Sequence, residues 1–214
     1  MIRVDLLNSA KNVLCLGAHS DDIEIGCGAT LLRMIEQNPT VNICWVVFSG
    51  DEVRRTEAQA SAAAYLKPLK GSHIITQNFR DGHFPVAFAE IKQIFEQVKR
   101  EFSPDLIFTH TREDRHQDHR VIHDLTCNTW RDHAVLEYEI PKFDGDLGHP
   151  NVFAAIAHSV LRRKVELLNE HFKSQLDKQW FTEEAFVALP RIRGIECNSP
   201  TKYAEAFHAR KICL

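Results

Sequence analysis

Two short stretches concentrate the side chains able to do chemistry: His19-Ser20-Asp21-Asp22-Ile23-Glu24 and His116-Gln117-Asp118-His119. Adjacent carboxylates repel each other, and desolvating both is costly unless a cation or hydrogen-bond donors compensate. His19 and Asp22 stand three residues apart, which suits two ligands closing on one ion from a tight turn. Asp21 would then lie beside the ion, free to move a proton. A competing account is structural, with the aspartates capping the helix that follows. His116 and His119, at i and i+3, can put one ring on a metal while the other faces a ligand, and Asp118 could orient a ring through its second nitrogen. The competing account here is a solvated charged loop, because Arg112, Arg115 and Arg120 share the segment. Four histidines within fourteen residues (His110, His116, His119, His123), matched by a His-x-x-Asp far away in sequence, favour a shared metal site.

The ligand inventory is thus His19, Asp22 and one of His116 or His119, two nitrogens and one oxygen with positions left for water. Zinc fits such a catalytic set, and Fe(II) competes because its facial triad is also two His and one carboxylate. A non-haem iron oxygenase is therefore one alternative, and a non-catalytic α/β module keeping a metal or sugar pocket is another. Dinucleotide binding at Gly26-Cys27-Gly28 is disfavoured. The third position is Leu31, and the acids Asp21, Asp22 and Glu24 precede the glycines, where they would repel a pyrophosphate. The glycines instead suit close approach of a helix to a sheet.

The periodicity of apolar residues indicates what positions these groups. Asn12–Gly17, Val41–Phe48 and Asp105–His110 are runs suited to strands buried on both faces. His73–Thr76, His133–Ile140 and Val152–Ala157 add further strands. Helical spacing is expected over Gly26–Gln37, Glu52–Leu66, Phe88–Phe102, His119–Trp130 and Val160–Leu168. Residues 142–150 read as a loop, and the last forty residues are mixed. Alternating strands and helices predict an α/β fold: a Rossmann-like three-layer sandwich with a mostly parallel sheet. Ligands of such sheets bind at the carboxyl ends of the strands. Both polar stretches directly follow a strand, so the topology brings them to one edge.

The chain of 214 residues suits a single domain over 1–214. Its formal charge is −3, from 26 Lys and Arg against 29 Asp and Glu, which gives no general attraction for nucleic acid or anionic membrane. Apolar runs are strand-length, far short of the ~20 residues of a membrane span. The segment beginning Met1-Ile-Arg-Val-Asp has no apolar core and no cleavage site, so no leader is expected. The six cysteines (15, 27, 44, 127, 197, 213) form no C-x-x-C and read as free thiols of a reducing cytoplasm.

Ala18-His19-Ser20-Asp21-Asp22-Ile23-Glu24, followed by Gly26, Gly28 and Thr30-Leu31, resembles the A-H-P-D-D-x-E…G-G-T-L signature of the PIG-L/LmbE-like zinc-dependent de-N-acetylases. His116-Gln117-Asp118-His119 is similar to that family's H-P-D-H, and Arg54-Arg55-Thr56-Glu57 to its R-x-x-E. Glu137-Tyr-Glu-Ile-Pro-Lys142, Ser174-Gln175 and Tyr203-Ala-Glu-Ala-Phe207 are similar in a less specific way. The resemblance implies zinc (Fe2+ being the other candidate) held by His19, Asp22 and His119. It implies Asp21 as general base, with His116 beside it as electrophile or acid supported by Asp118. Ser20 and Gln117 replace prolines of the pattern, altering rigidity rather than ligands. The implied activity is removal of an N-acetyl group from an N-acetylglucosamine-type amino sugar or sugar conjugate, with metal-bound water as nucleophile. Arg54 is expected either to bind an anionic group of the substrate or to pair with Glu57 or Glu52. Asp81, in Asp81-Gly82-His83, either contacts substrate or merely makes a turn. The expected partner is this small molecule, and association of identical chains is compatible with the sequence.

Overall fold

The computed structural model describes residues 5–212, so Met1–Val4 of the leader expectation and Cys213 lie outside the described residues. The strands are β1 (Asn12–Gly17), β2 (Asn42–Ser49), β3 (His73–Phe79), β4 (Leu106–His110), β5 (Ala134–Tyr138), β6 (Val152–Ile156) and β7 (Tyr203–Ala209). The α-helices are α1 (Leu6–Ser9), α2 (Asp22–Gln37), α3 (Glu52–Leu66), α4 (Phe88–Glu101), α5 (Gln117–Thr129), α6 (His158–His171) and α7 (Glu183–Glu196), with a 3-10 turn at Lys173–Gln175. One sheet runs in the order β3-β2-β1-β4-β5-β7-β6. The first five of these strands are parallel, and β7 pairs antiparallel with β5 and β6.

Apolar runs in β1, β2 and β4 reflect burial on both faces. Val13, Cys15, Ile43, Trp45 and Phe108 point into one core, whereas Leu14, Leu16, Cys44, Val46 and Ile107 point into the other. Helices α2, α3, α6 and α7 supply side chains to the first core, and α4 and α5 to the second. The expected three-layer sandwich is therefore the observed one.

Gly26 explains how tightly α2 seats. A Cβ there would lie 2.2 Å from Cδ2 of the buried Tyr138 in β5, so only glycine admits the ring. The Tyr138 hydroxyl donates to the Leu16 carbonyl at 2.6 Å, fastening β5 to β1 across the intervening strand. At the far end, β7 contributes Glu205, which accepts from the backbone N–H of Ala29 (3.0 Å) and Thr30 (2.6 Å) and pairs with Lys164 at 2.7 Å. Lys164 also donates to the Ile25 carbonyl, so this buried ion pair has its hydrogen bonds satisfied.

Candidate active site

β1 and β4 are neighbours in the sheet, yet the chain leaves them on opposite sides: β2 and β3 lie beyond β1, and β5 beyond β4. This is a topological switch point, where the loops after two strands diverge and open a crevice. The loop after β1 carries His19 to Asp22, and the loop after β4 leads to His116 and His119 at the start of α5. A cleft of about 660 Å³ opens there, lined among others by His19, Asp21, Asp22, Arg54, His116 and His119.

Three donor atoms converge. His19 Nδ1 lies 3.0 Å from His119 Nε2 and 3.3 Å from Asp22 Oδ2, and His119 Nε2 lies 3.5 Å from the same oxygen. Ligands about 2.1 Å from a tetrahedral zinc stand roughly 3.4 Å apart. The three edges match that triangle, so these residues could hold one divalent ion. The tautomer of His119 agrees. Its Nδ1 meets Asp114 Oδ2 at 2.8 Å, which puts the proton on Nδ1 and leaves the Nε2 lone pair facing the other two donors. Burial, then the neighbouring His110, pushes the His119 pKa down to about 3, so the ring is neutral. Burial drives the Asp22 carboxyl up, but His119, His110 and His19 outweigh it and hold it well below the usual range.

Asp21 is held differently. Its side chain makes no capping hydrogen bond to α2, and Asp22 accepts instead from the His19 backbone N–H at 2.6 Å, closing the turn. The capping account of the two acids is thereby removed. Asp21 Oδ2 faces Arg54 Nη2 at 3.0 Å, while Arg54 Nη1 meets Glu57 Oε2 at 3.0 Å. Glu57 in turn accepts from the Ser174 N–H and hydroxyl, and the Phe172 ring lies 5.4 Å from the guanidinium. Arg54 thus has the expected pairing with Glu57 and, in addition, spans to Asp21. Burial raises the Asp21 pKa, Arg54 opposes this, and the net shift is upward.

His116 caps α5, its Nδ1 accepting from the Asp118 N–H at 3.3 Å. The ring proton is therefore on Nε2. Burial, then His19, lowers its pKa, so the ring is neutral. The expected support from Asp118 takes another form. Its carboxylate accepts from the N–H groups of Gly82 (2.6 Å) and Phe84 (3.0 Å) and makes no hydrogen bond to the His116 ring. Asp118 pins the 81–84 loop onto α5 and sets its Oδ2 3.4 Å from His19 Nε2, so the ring it faces through the second nitrogen is that of His19. This loop is a turn with Gly82 at φ +78°, and it presents Asp81 Oδ1 3.0 Å from His19 Nε2. The turn expected for Asp81 is present, and its carboxylate lines the cleft.

Asp114 was not singled out by the sequence, whereas His110 was one of the four clustered histidines and Lys142 closed the Glu137–Lys142 stretch, neither with an assigned role. Asp114 Oδ1 accepts from the His116 N–H at 2.8 Å, and Oδ2 also binds Lys142 Nζ at 2.8 Å. His110 stacks on His119 with ring centroids 3.9 Å apart and accepts from the Ala18 N–H at 3.0 Å. Their signal was position alone: His110 ends a buried strand, and Asp114 lies in the loop leaving it.

The fold and this cleft define an LmbE-like α/β deacetylase architecture. The chain belongs to the PIG-L family, described as GlcNAc-PI de-N-acetylase, which matches residues 14–130. It is 30% identical over 178 residues to the uncharacterized deacetylase YaiS of Escherichia coli (strain K12), covering 77% of this chain and 92% of that protein. Among solved structures it resembles N,N'-diacetylchitobiose deacetylase from Pyrococcus horikoshii, with a TM-score of 0.72 and 20% identity, covering 96% of this chain and 85% of that one. It equally resembles GalB, the 4-carboxy-2-hydroxymuconate hydratase of Pseudomonas putida KT2440, with a TM-score of 0.72 and 17% identity over 95% of this chain and 98% of that one.

Proposed function

We propose that this chain is a divalent-metal-dependent deacetylase that hydrolyses the N-acetyl group of an N-acetylglucosamine-type sugar or sugar conjugate, with zinc as the metal. The observation that carries the reading is the triangle of His19 Nδ1, Asp22 Oδ2 and His119 Nε2, with Asp21 adjacent but drawn aside by Arg54. Membership of the deacetylase family supports deacetylation rather than the hydration named for GalB, since shared architecture alone does not fix chemistry.

An ion held by His19, Asp22 and His119 would supply Lewis acidity for the amide carbonyl and a lowered pKa for water. Asp21, its pKa raised by burial, takes a proton from the attacking water and delivers it to the departing amine nitrogen. His116 offers its Nε2 proton to the carbonyl oxygen as charge develops there. The C–N bond breaks, leaving acetate and the free amine. Arg54 fixes the rotamer of Asp21 through the Glu57–Ser174 brace. Phe143, 78% exposed, and Trp180 line the mouth and supply apolar faces suited to a sugar ring. No helix of the described residues is long and apolar enough to cross a membrane.

The test is a panel of N-acetylglucosamine compounds followed by mass spectrometry for loss of one acetyl group, with and without chelator. Asp21→Asn is expected to lose roughly 10²–10⁴ in rate while keeping its metal. His119→Ala is expected to lose the metal. Wild-type rates in Asp21→Asn, or turnover untouched by chelation, overturn the assignment.

A further inference from the structure

A second cluster of ligating side chains lies further along α5. His123 and Cys127 are at i and i+4 on one face of the helix, and Glu137 projects from the adjacent β5. His123 Nε2 lies 3.1 Å from Glu137 Oε1 and 3.4 Å from Cys127 Sγ, and the three donor atoms all fall within 4.8 Å of one another. His123 and Glu137 are buried, and Cys127 is half-buried.

We propose that His123 Nε2, Cys127 Sγ and Glu137 Oε1 form a second divalent-cation site, for zinc or a similar thiophilic ion, separate from the catalytic cleft. Zinc bond lengths put a tetrahedral N···S pair about 3.5 Å apart and an N···O pair about 3.3 Å apart. The observed 3.4 and 3.1 Å follow that pattern. The competing arrangement is a nucleophile triad, in which an imidazole bridges thiol and carboxylate through its two nitrogens. Here both partners crowd the same nitrogen. One N–H cannot serve the sulfur and the oxygen equally well, whereas a cation at their common focus serves all three.

The remaining groups take supporting roles. His123 Nδ1 faces Asp124 Oδ1 at 3.1 Å, the carboxylate contact that commonly orients a metal-binding ring. Glu137 Oε2 accepts from the Arg112 N–H at 3.2 Å, which fixes the carboxylate. Arg210, exposed after β7, also lies by the sulfur, and a bound ion would have to displace it. The half-buried side leaves a fourth position for water. Filled, the site would clip α5, the helix that carries His119 and follows His116, onto β5.

The test is a Co2+ titration of chelator-treated, reduced protein without oxygen, read by the near-ultraviolet sulfur-to-cobalt charge-transfer band. Among the described residues no thiol lines the catalytic cleft, so a band that disappears in Cys127→Ala reports this site. It is expected in the wild type and in His119→Ala, and lost in Cys127→Ala. A second readout needs no variant: Zn2+ should suppress alkylation of Cys127 in the wild type while leaving the half-buried Cys197 unchanged. A wild type without the band, a band surviving in Cys127→Ala, or alkylation of Cys127 indifferent to zinc overturns the proposal. Because His119→Ala keeps the band on this account, failure of the deacetylase reading and failure of this one give different results.

Discussion

Asp114→Asn isolates the residue that fixes the His119 tautomer. The carboxylate oxygen Oδ2 lies 2.8 Å from His119 Nδ1 and 2.8 Å from Lys142 Nζ, while Oδ1 takes the His116 N–H. Asparagine keeps the size but offers one accepting oxygen where the carboxylate offers two, so either the His116 N–H or the His119 Nδ1–H and Lys142 face an NH2. What goes is the negative charge. His119 Nε2 becomes a poorer donor, and the amide can also flip to present NH2 to the ring. Removing a carboxylate that orients a metal-binding histidine typically costs 10–100-fold in metal affinity or activity. At about 1.4 kcal/mol per factor of ten, that is ~1.4–2.8 kcal/mol. The assay is reactivation of chelator-treated enzyme: the free Zn2+ giving half-maximal deacetylation should rise by that factor, measured at a temperature where the variant is shown to be folded. An unchanged zinc requirement and unchanged turnover would refute the argument that Asp114 sets the lone pair of His119.

Three other outcomes are expected. Gly26→Ala forces a Cβ to 2.2 Å from the Tyr138 ring, so it should cost about 1–3 kcal/mol or more, read as a drop in denaturant midpoint, and an unchanged midpoint contradicts the packing. Arg54→Lys should lower kcat by about tenfold or more, because one ammonium cannot replace a guanidinium that reaches Asp21 and Glu57 through separate nitrogens; wild-type kcat would show that the brace is dispensable. The protein should also lose stability in alkali. Burial pushes the Cys15 and Cys27 thiols well above their ordinary pKa and Cys44 to about 12, whereas an unfolded thiol titrates near ~8.5. Above ~8.5 the unfolded chain releases protons that the native state retains. Stability therefore falls as pH rises toward 12, by about 1.4 kcal/mol per pH unit for each thiol and ~4 for the three. Urea unfolding at pH 8 and pH 10 measures this, and equal stabilities would contradict it.

Much of the fold was legible because burial on both faces leaves continuous apolar runs. β1, β2 and β4 follow from such runs, and α3 and α4 from helical spacing. α2 was expected from Gly26 but begins at Asp22, since charged and polar residues at a helix start resemble a loop. α7 and β7 stayed hidden for local reasons. Pro190 interrupts the pattern of α7, and Tyr203–Ala209 mixes alanine with Glu205 and His208, types poor in strand signal. Glu205 is buried only because α2 and Lys164 supply its partners, a tertiary fact without a local trace. At the cleft, His19, Asp22 and one of His116 or His119 were readable from spacing after strands, and only the family resemblance pointed to His119. Asp114 was not, because an acid among arginines looks like solvated surface until the fold buries it beside His119.

The strand order has a bearing on how the chain is made. β7 sits between β5 and β6, yet it is synthesised after both. While the ribosome is still translating α7, β6 has no partner in the sheet and β5 has one bare edge. The nascent polypeptide therefore cannot finish its sheet by adding strands in order of emergence. Its last described strand must slot into a waiting gap, bringing Glu205 to α2 in the same motion. A stall or truncation before residue 203 would leave hydrogen-bonding edges exposed to other chains, which makes this step the point at which chaperone protection would matter most.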